Sequence, residues 1–303
     1  MTDRKNYLNQ LPQLTLPWLV VTFVSIFINL VIFYGLVWFP TFSDVKITQQ
    51  SFETLCNLSL QQNNNANKNV FETEVTKIGL LIQATGNYAN WTIPLVESAR
   101  RHFLRRHGYS VTFFIFSDRL ESIAQGKNGD IVAIYQEQLG WPFDSMLRFQ
   151  IYQKNGHLLI GMDYLFQLDA DMKFVATVGP EILGDLVGTL HPGYFASPRW
   201  TFPYETRSDS CAHVNKDQGW FYLCGAFYGG KTDLVMKMML TIGRCVELDT
   251  HNHIIPIWHD ESYLNHYFVR NPPTILLSSA YCTQEGKGNK SVFVLLPKYH
   301  QHH

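Results

Sequence analysis

The feature that most constrains this chain lies near its start. From Pro17 to Phe39 the sequence PWLVVTFVSIFINLVIFYGLVWF carries no charged residue. A helix crossing the hydrocarbon core of a bilayer needs ~20 such residues. Trp18, Tyr34 and Trp38 fall near the ends of the run, where amphipathic rings favour the membrane interface. A cleaved leader would have a shorter apolar stretch and small residues at its exit, whereas the exit here is the bulky VWFPTF. A buried core helix is the competing reading. Arg4 and Lys5 precede the run, while Asp44 and Lys46 follow it. This slight bias leaves residues 1–16 as a cytosolic tail and makes 17–39 a signal-anchor helix. The rest of the chain then faces a lumen or the cell exterior. The glycosylation triplets Asn57-Leu-Ser59, Asn90-Trp-Thr92 and Asn289-Lys-Ser291 all fall on that side.

Residues 40–75 read as a stem, because QQNNNANKN is polar, low in complexity and without periodicity. From Lys77 the pattern changes. KIGLLI (Lys77–Ile82), VTFFIF (Val111–Phe116), DIVAIY (Asp130–Tyr135) and DYLFQL (Asp163–Leu168) are short apolar runs, read as buried strands. Asn90–Arg106 and Phe143–Tyr152 read as helices between them. This alternation predicts an α/β domain over 76–303, with a mainly parallel sheet flanked by helices. Ligands of such sheets sit beyond the carboxyl ends of the strands.

Composition narrows the function classes. A formal net charge of -1 excludes a chain that is basic throughout and binds nucleic acid electrostatically. There is no GxxxxGK[ST] loop and no GxGxxG, so P-loop kinases and dinucleotide-dependent dehydrogenases lack their phosphate cradle. The five cysteines show no CxxC spacing, and for a domain this large they predict neither a zinc site nor a disulfide framework.

Three constellations carry chemistry. Asp169-Ala-Asp171 directly follows an apolar strand. Two carboxylates one residue apart can converge on one hard divalent ion if the chain turns at Ala170, and such an ion neutralises a diphosphate and helps it leave. A solvated turn is the plain alternative. Trp258-His259-Asp260-Glu261-Ser262 sets two acids beside aromatic rings. Glu261 can act as nucleophile or base at a sugar carbon, or the acids can simply open a helix. Phe221–Gly230 (FYLCGAFYGG) reads as a strand and a tight turn whose small residues admit a ligand to the backbone, or as a plain hairpin end.

Several segments in one order resemble family 6 glycosyltransferases: TLHPG (Thr189–Gly193), FPYETR (Phe202–Arg207), KDQGWFYLCGAFYGG (Lys216–Gly230) and WHDESYLN (Trp258–Asn265). The family includes the ABO blood-group transferases and the α-1,3-galactosyltransferases, and the likeness runs from about Lys77 to Tyr299. It implies a GT-A type, Rossmann-like fold in the Golgi membrane and a UDP-sugar donor. It also implies Mn²⁺ (Mn2+) and transfer to a glycan acceptor with retention of configuration. Asp169 and Asp171 match the family's metal-binding pair and Glu261 its catalytic glutamate, which also borders the acceptor. Gln83, Ala84 and Tyr88 fall where the family holds uracil and ribose. Arg148, Asp260, Cys224, Ala226 and Lys298 match positions at the donor, and His191 and Trp258 match positions at the acceptor. Trp141 matches a loop residue that closes over the donor. Cys224-Gly225-Ala226 matches the triplet that sorts galactose from N-acetylgalactosamine, and the resemblance leans to galactose. Gln83 stands where an aromatic is common, Gln284 replaces an expected acid, and the basic tail after Lys298 is short. These departures define the alternative, a non-catalytic luminal relative that binds nucleotide or glycan.

Overall fold

The computed structural model describes residues 75–123, 129–286 and 291–296. The run Pro17–Phe39, nearly all of the stem, the triplets at Asn57 and Asn289, and Lys298 lie outside the described residues. Among the described residues no helix is long and apolar enough to cross a membrane.

The apolar runs become strands. In chain order these are β1 (Thr76–Gln83), β2 (Tyr109–Ser117), β3 (Ile131–Tyr135), β4 (Tyr164–Asp169) and β5 (Met172–Phe174). They are followed by β6 (Leu186–Thr189), β7 (Phe227–Lys231), β8 (Ile275–Leu277), β9 (Thr283–Gln284) and β10 (Phe293–Leu295). The helices are α1 (Thr92–His102), α2 (Phe143–Met146), α3 (Arg148–Lys154), α4 (Gly156–Leu159), α5 (Thr232–His251) and α6 (His259–Arg270). A large sheet has the order β3-β2-β1-β4-β7-β6-β8, and a small one the order β5-β10-β9. In the large sheet β1 to β4 are mutually parallel, as are β6 and β8, while β7 runs antiparallel to β4 and β6. The expected mainly parallel α/β sheet is therefore present.

Its central strands, β1 and β4, are buried on both faces, because their alternating side chains meet helices on either side. Ile78, Leu80 and Ile82 of β1 and Phe166 and Leu168 of β4 pack with Leu95, Val96 and Ala99 of α1. Leu81, Phe114 and Leu165 face the other way, toward Phe149 and Tyr152 of α3 and Met238, Met239 and Ile242 of α5. Each such large side chain taken out of water contributes about 1.5–3 kcal/mol. The result is a three-layer frame of helix, sheet and helix.

Three expectations need correction. The helix read over Asn90–Arg106 is a 3-10 turn at Gly86–Trp91 followed by α1, and it stops at His102 because Phe103 turns extended (φ -93°, ψ 118°). The tight turn read at the end of Phe221–Gly230 is strand: Gly229 and Gly230 lie inside β7, and a Cβ at either would strike the backbone of β4 or the residues opening β6. Those two glycines admit neighbouring strands, not a ligand. The cysteines, finally, are paired: Cys211 with Cys245 and Cys224 with Cys282, across 34 and 58 residues of chain. Such pairs are made by the fold and leave no local spacing to read.

Candidate active site

The carboxyl ends of β1, β4 and β6 share one edge of the large sheet, and the start of β7 enters between the last two. Gln83 closes β1 in register with Asp169 at the end of β4. The Asp169 N–H donates to the Ala226 carbonyl at 3.0 Å, which places the Cys224–Ala226 segment beside the acid. The chain turns at Ala170, as two converging carboxylates require. Asp171 is buried, and its carbonyl accepts the Leu296 N–H at 2.8 Å.

Arg148 opens α3 and lies almost wholly buried behind this turn. Its guanidinium donates to Asp169 Oδ1 at 2.9 Å and stands 3.5 Å from Asp260 Oδ2. Burial alone would weaken its charge, but the carboxylates of Asp260 and Asp169 outweigh burial and hold it protonated. The Gln167 amide donates to the same Asp169 oxygen at 3.0 Å. One buried cation thus ties the end of β4 to the start of α6.

At that start, the Trp258 N–H donates to Ser262 Oγ at 3.0 Å, and Asp260 and Glu261 occupy the first turn of α6. Free N–H groups there favour negative charge. One turn on, Asn265 accepts the Leu223 N–H at 2.8 Å and donates to the Leu223 and Glu261 carbonyls, each at 2.9 Å. It fastens the segment around Leu223 to α6. Glu261 Oε2 then accepts the Gly225 N–H at 2.8 Å. The Tyr222 hydroxyl faces the same carboxylate and favours its charge without closing a well-formed hydrogen bond. Burial pushes the Glu261 carboxyl up to about 7, because Gly225 and Tyr222 offset only part of the desolvation and Asp260 and Asp169 add repulsion. Burial likewise raises Asp260, against the pull of Arg148. A Cβ on Gly225 would meet Asp260 Oδ2 at 3.4 Å and Glu261 Oε2 at 3.5 Å, so the glycine opens toward both acids.

A further acid sets the stage. Glu205 is only 3% exposed and accepts from the Arg207 N–H (2.9 Å), the Arg207 guanidinium (3.0 and 2.7 Å) and the Ile257 N–H (2.9 Å). It pins the residue just before Trp258.

His191 follows β6. Its N–H donates to the Tyr222 carbonyl and its Nδ1 accepts the Gly193 N–H, both at 3.0 Å, so a neutral ring presents Nε2–H. Burial lowers the His191 pKa and keeps the ring neutral. Trp258 is half exposed, and Trp141, 81% exposed, meets the His259 ring edge-on at 4.8 Å. At the other end, the Ala84 N–H donates to the Phe116 carbonyl at 2.8 Å, and Tyr88 is exposed on the turn beyond. Both polar atoms of the Gln83 amide are buried without a partner, which equips it to read the polar edge of a ligand.

The structure therefore brings Gln83, Ala84, Arg148, Asp169, Asp171, His191, Ala226, Trp258, Asp260 and Glu261 to one edge. Cys224 is there too, with its sulfur bonded to Cys282, so Gly225 is the triplet residue that faces the acids. Sequence reasoning missed Tyr222, Asn265 and Glu205, and named Gly225 only as the middle of the donor triplet. Only Asn265 left a legible signal, its i+4 spacing from Glu261 on one helix face. Among the described residues no group of three or more His, Cys, Asp or Glu converges on a metal position. Asp169 and Asp171 place two carboxylates on either side of Ala170, at the turn that ends β4. Mg²⁺ and Mn²⁺ sites commonly take one or two carboxylates and complete the shell with phosphate oxygens and water.

Comparison with known proteins gives this edge a context. The chain is 36% identical over 246 residues to histo-blood group ABO system transferase 2 of Rattus norvegicus, covering 76% of this chain and 72% of that one. It is 36% identical over 218 residues to globoside alpha-1,3-N-acetylgalactosaminyltransferase 1 of Homo sapiens, covering 69% and 62%. It is 29% identical over 213 residues to alpha-1,3-galactosyltransferase 2 of Homo sapiens, covering 68% and 62%. Residues 61–301 match the model of glycosyltransferase family 6, and a match over this span, which holds every described acid of the edge, shows that the chain belongs to that family.

Proposed function

We propose that the chain transfers galactose, or alternatively N-acetylgalactosamine, from a UDP-sugar to a galactose-terminated glycan of a glycolipid or glycoprotein. The linkage formed is α-1,3, with retention of configuration. The observation that carries this reading is the Arg148 bridge, which draws Asp169 at the strand end and Asp260 beside Glu261 into one buried network. The names of two relatives, an alpha-1,3-N-acetylgalactosaminyltransferase and an alpha-1,3-galactosyltransferase, support this pair of sugars and the linkage without favouring one sugar.

Each residue has a task in this reading. Gln83, Ala84 and Tyr88 receive the uridine. Asp169 and Asp171 would hold Mn²⁺, which would supply charge to neutralise the diphosphate. Lys298 adds positive charge to the same phosphates. Arg148 keeps Asp169 aimed and pulls Asp260, which burial pushes up, back toward its charged form beside the donor sugar. Gly225 and Ala226 leave room for the sugar, and the Cys224 disulfide fixes their backbone. Glu261 supports positive charge at the sugar C1 as the C1–O bond to UDP breaks, either as a nucleophile that bonds C1 or as a stabilising charge. The acceptor hydroxyl then bonds C1 and gives its proton to the released oxygen, of Glu261 or of UDP. His191 and Trp258 hold the acceptor. The enzyme is anchored by Pro17–Phe39 and works in the Golgi lumen.

The test uses the full chain in detergent with UDP-galactose and UDP-N-acetylgalactosamine in separate reactions, a β-galactoside acceptor, and Mn²⁺ or EDTA. UDP release with one donor, abolished by EDTA, supports a metal-dependent transferase and identifies its sugar. UDP binding without release from either donor supports the non-catalytic alternative. No UDP binding at all sinks the proposal.

A further inference from the structure

We infer that Phe195, Trp200, Trp220 and Phe221 form an extended acceptor subsite, a shelf on which the sugar rings behind the acceptor's terminal galactose stack. This rests on the transferase reading above.

The four rings are 59%, 86%, 80% and 54% exposed. Large aromatic side chains are normally well covered, and clustered exposed ones mark interaction surfaces. These rings are held in place. The Arg199 guanidinium donates to the Lys216 and Asp217 carbonyls, the latter at 2.6 Å, and lies 6.0 Å from the centre of the Trp220 ring. It stitches the turn carrying Trp200 to the loop carrying Trp220. The Tyr204 hydroxyl donates to the Phe221 carbonyl at 2.8 Å. Gly219 (φ 81°) lets the loop sit against Tyr204, whose ring occupies the space a Cβ would need. The Phe195 N–H donates to the His191 carbonyl at 3.0 Å.

The shelf is continuous with the reacting end. Beneath it Tyr194, Phe202, Tyr204 and Tyr222 pack ring on ring, and Tyr222 lies 5.7 Å from His191. Tyr222 also faces Glu261. A path therefore runs from the catalytic acid through Tyr222 and His191 to the exposed rings. A pyranose suits such a path, since its C–H faces are apolar and its hydroxyls stand at the rim. Rigid aromatic rings give contact area at little entropic cost. A bilayer also takes up tryptophan, but the charges at the Trp220 loop, Lys216, Arg199 and Asp217, sum to a single positive charge, far short of the basic cluster that anionic lipid draws in.

The test compares methyl β-galactoside with a soluble pentasaccharide ending in the same β-galactosyl residue, for the full chain and for W200A/W220A. The double variant is expected to lower the ratio of kcat/KM for the pentasaccharide to that for the monosaccharide about tenfold, equivalent to roughly 1.4 kcal/mol. W200F/W220F, which keeps flat rings, should restore most of the ratio. An unchanged ratio overturns the shelf. So does a loss confined to the same glycan carried on lipid vesicles, which would assign the rings to the bilayer. If the unaltered chain transfers to neither acceptor, the transferase reading fails by itself. The shelf is then judged by saturation-transfer NMR of the pentasaccharide without donor. Binding that W200A/W220A removes supports it, and absent or unaltered binding overturns it.

Discussion

Glu205 and Glu261 are two buried glutamates that converge on the same stretch of chain, and the fold drives them in opposite directions. Burial alone would raise Glu205, but the Arg207 guanidinium and the N–H groups of Arg207 and Ile257 bring it down to about 2. Glu261 receives one backbone N–H, and burial leaves it at about 7. The first acid has spent its oxygens on holding the backbone ahead of Trp258. The second is kept short of partners, and a carboxylate short of partners is one that can still bond or stabilise something else. Burial does not separate a structural acid from a catalytic one; the number of donors does.

The largest effect should come from Glu261→Gln, which leaves the frame intact and removes the charge. Turnover should fall about a thousandfold or more, as for loss of a nucleophile or charged stabiliser, with UDP affinity within a few-fold of the parent by calorimetry. Stability should move the other way. The folded pKa of Glu261 lies above its ordinary 4.5. Its stabilising contribution is therefore complete below pH 4.5 and lost as pH rises through about 7. Melting curves of donor-free protein should show Glu261→Gln gaining on the parent between pH 5 and 8, over the range in which parent turnover rises. A flat difference would mean that Glu261 is already ionised at pH 5 and resembles Glu205 after all.

Asp169→Asn comes next. It tests whether the strand-end acid serves the substrate or only neutralises Arg148. Mn²⁺-dependent UDP affinity should drop about a hundredfold, the loss of one of two protein ligands from a carboxylate site. If affinity survives but the protein melts early, the pair with Arg148 is structural, and Asp169 belongs with Glu205 in the comparison.

Much of this frame was legible in the sequence. KIGLLI, VTFFIF and DYLFQL became strands near their expected bounds, because short apolar runs cannot be left exposed and are too short for buried helices. The turn at Ala170 followed from where the apolar run ends. The antiparallel course of β7 left no local trace, because its Gly229 and Gly230 look like turn residues until β4 and β6 are seen pressing on them. The disulfides and Asn265's grip on Leu223 are likewise long-range, reaching across 34 to 58 residues. The two glutamates show the limit most clearly. Nothing in YETR or HDES says which acid will find four donors and which will find one.

Glu205→Gln should therefore act mainly on stability. The amide sets N–H donors against Arg207 and the Ile257 N–H, and losing charge-assisted bonds of this kind costs about 2 kcal/mol. In a domain of this size that is roughly 4–8 °C in Tm. The folded pKa is depressed, so the contribution of Glu205 is present above pH 4.5 and lost as pH falls toward about 2. The melting gap between parent and variant should close over that window. Turnover should fall less than tenfold, because the Gly225 and Asn265 contacts still hold Glu261.

The smallest change addresses the space between the acids. Gly225 has no left-handed backbone angle to protect, and a Cβ there would sit 3.4 Å from Asp260 and 3.5 Å from Glu261, an ordinary contact. Gly225→Ala should leave Tm within about 4 °C, because at a backbone angle alanine can adopt the exchange is worth about 0.4–1 kcal/mol. The methyl nevertheless occupies the side from which a sugar would reach both carboxylates. A pocket built to touch its substrate is sensitive to one methyl, at about 1–3 kcal/mol, so kcat/KM should fall about tenfold and more steeply for UDP-N-acetylgalactosamine than for UDP-galactose. Equal losses for both donors would place the N-acetyl group elsewhere, and no loss would mean that the sugar does not approach Glu261 across Gly225. In that last case the shortage of donors at Glu261 would need a different explanation from the one its contrast with Glu205 supplies.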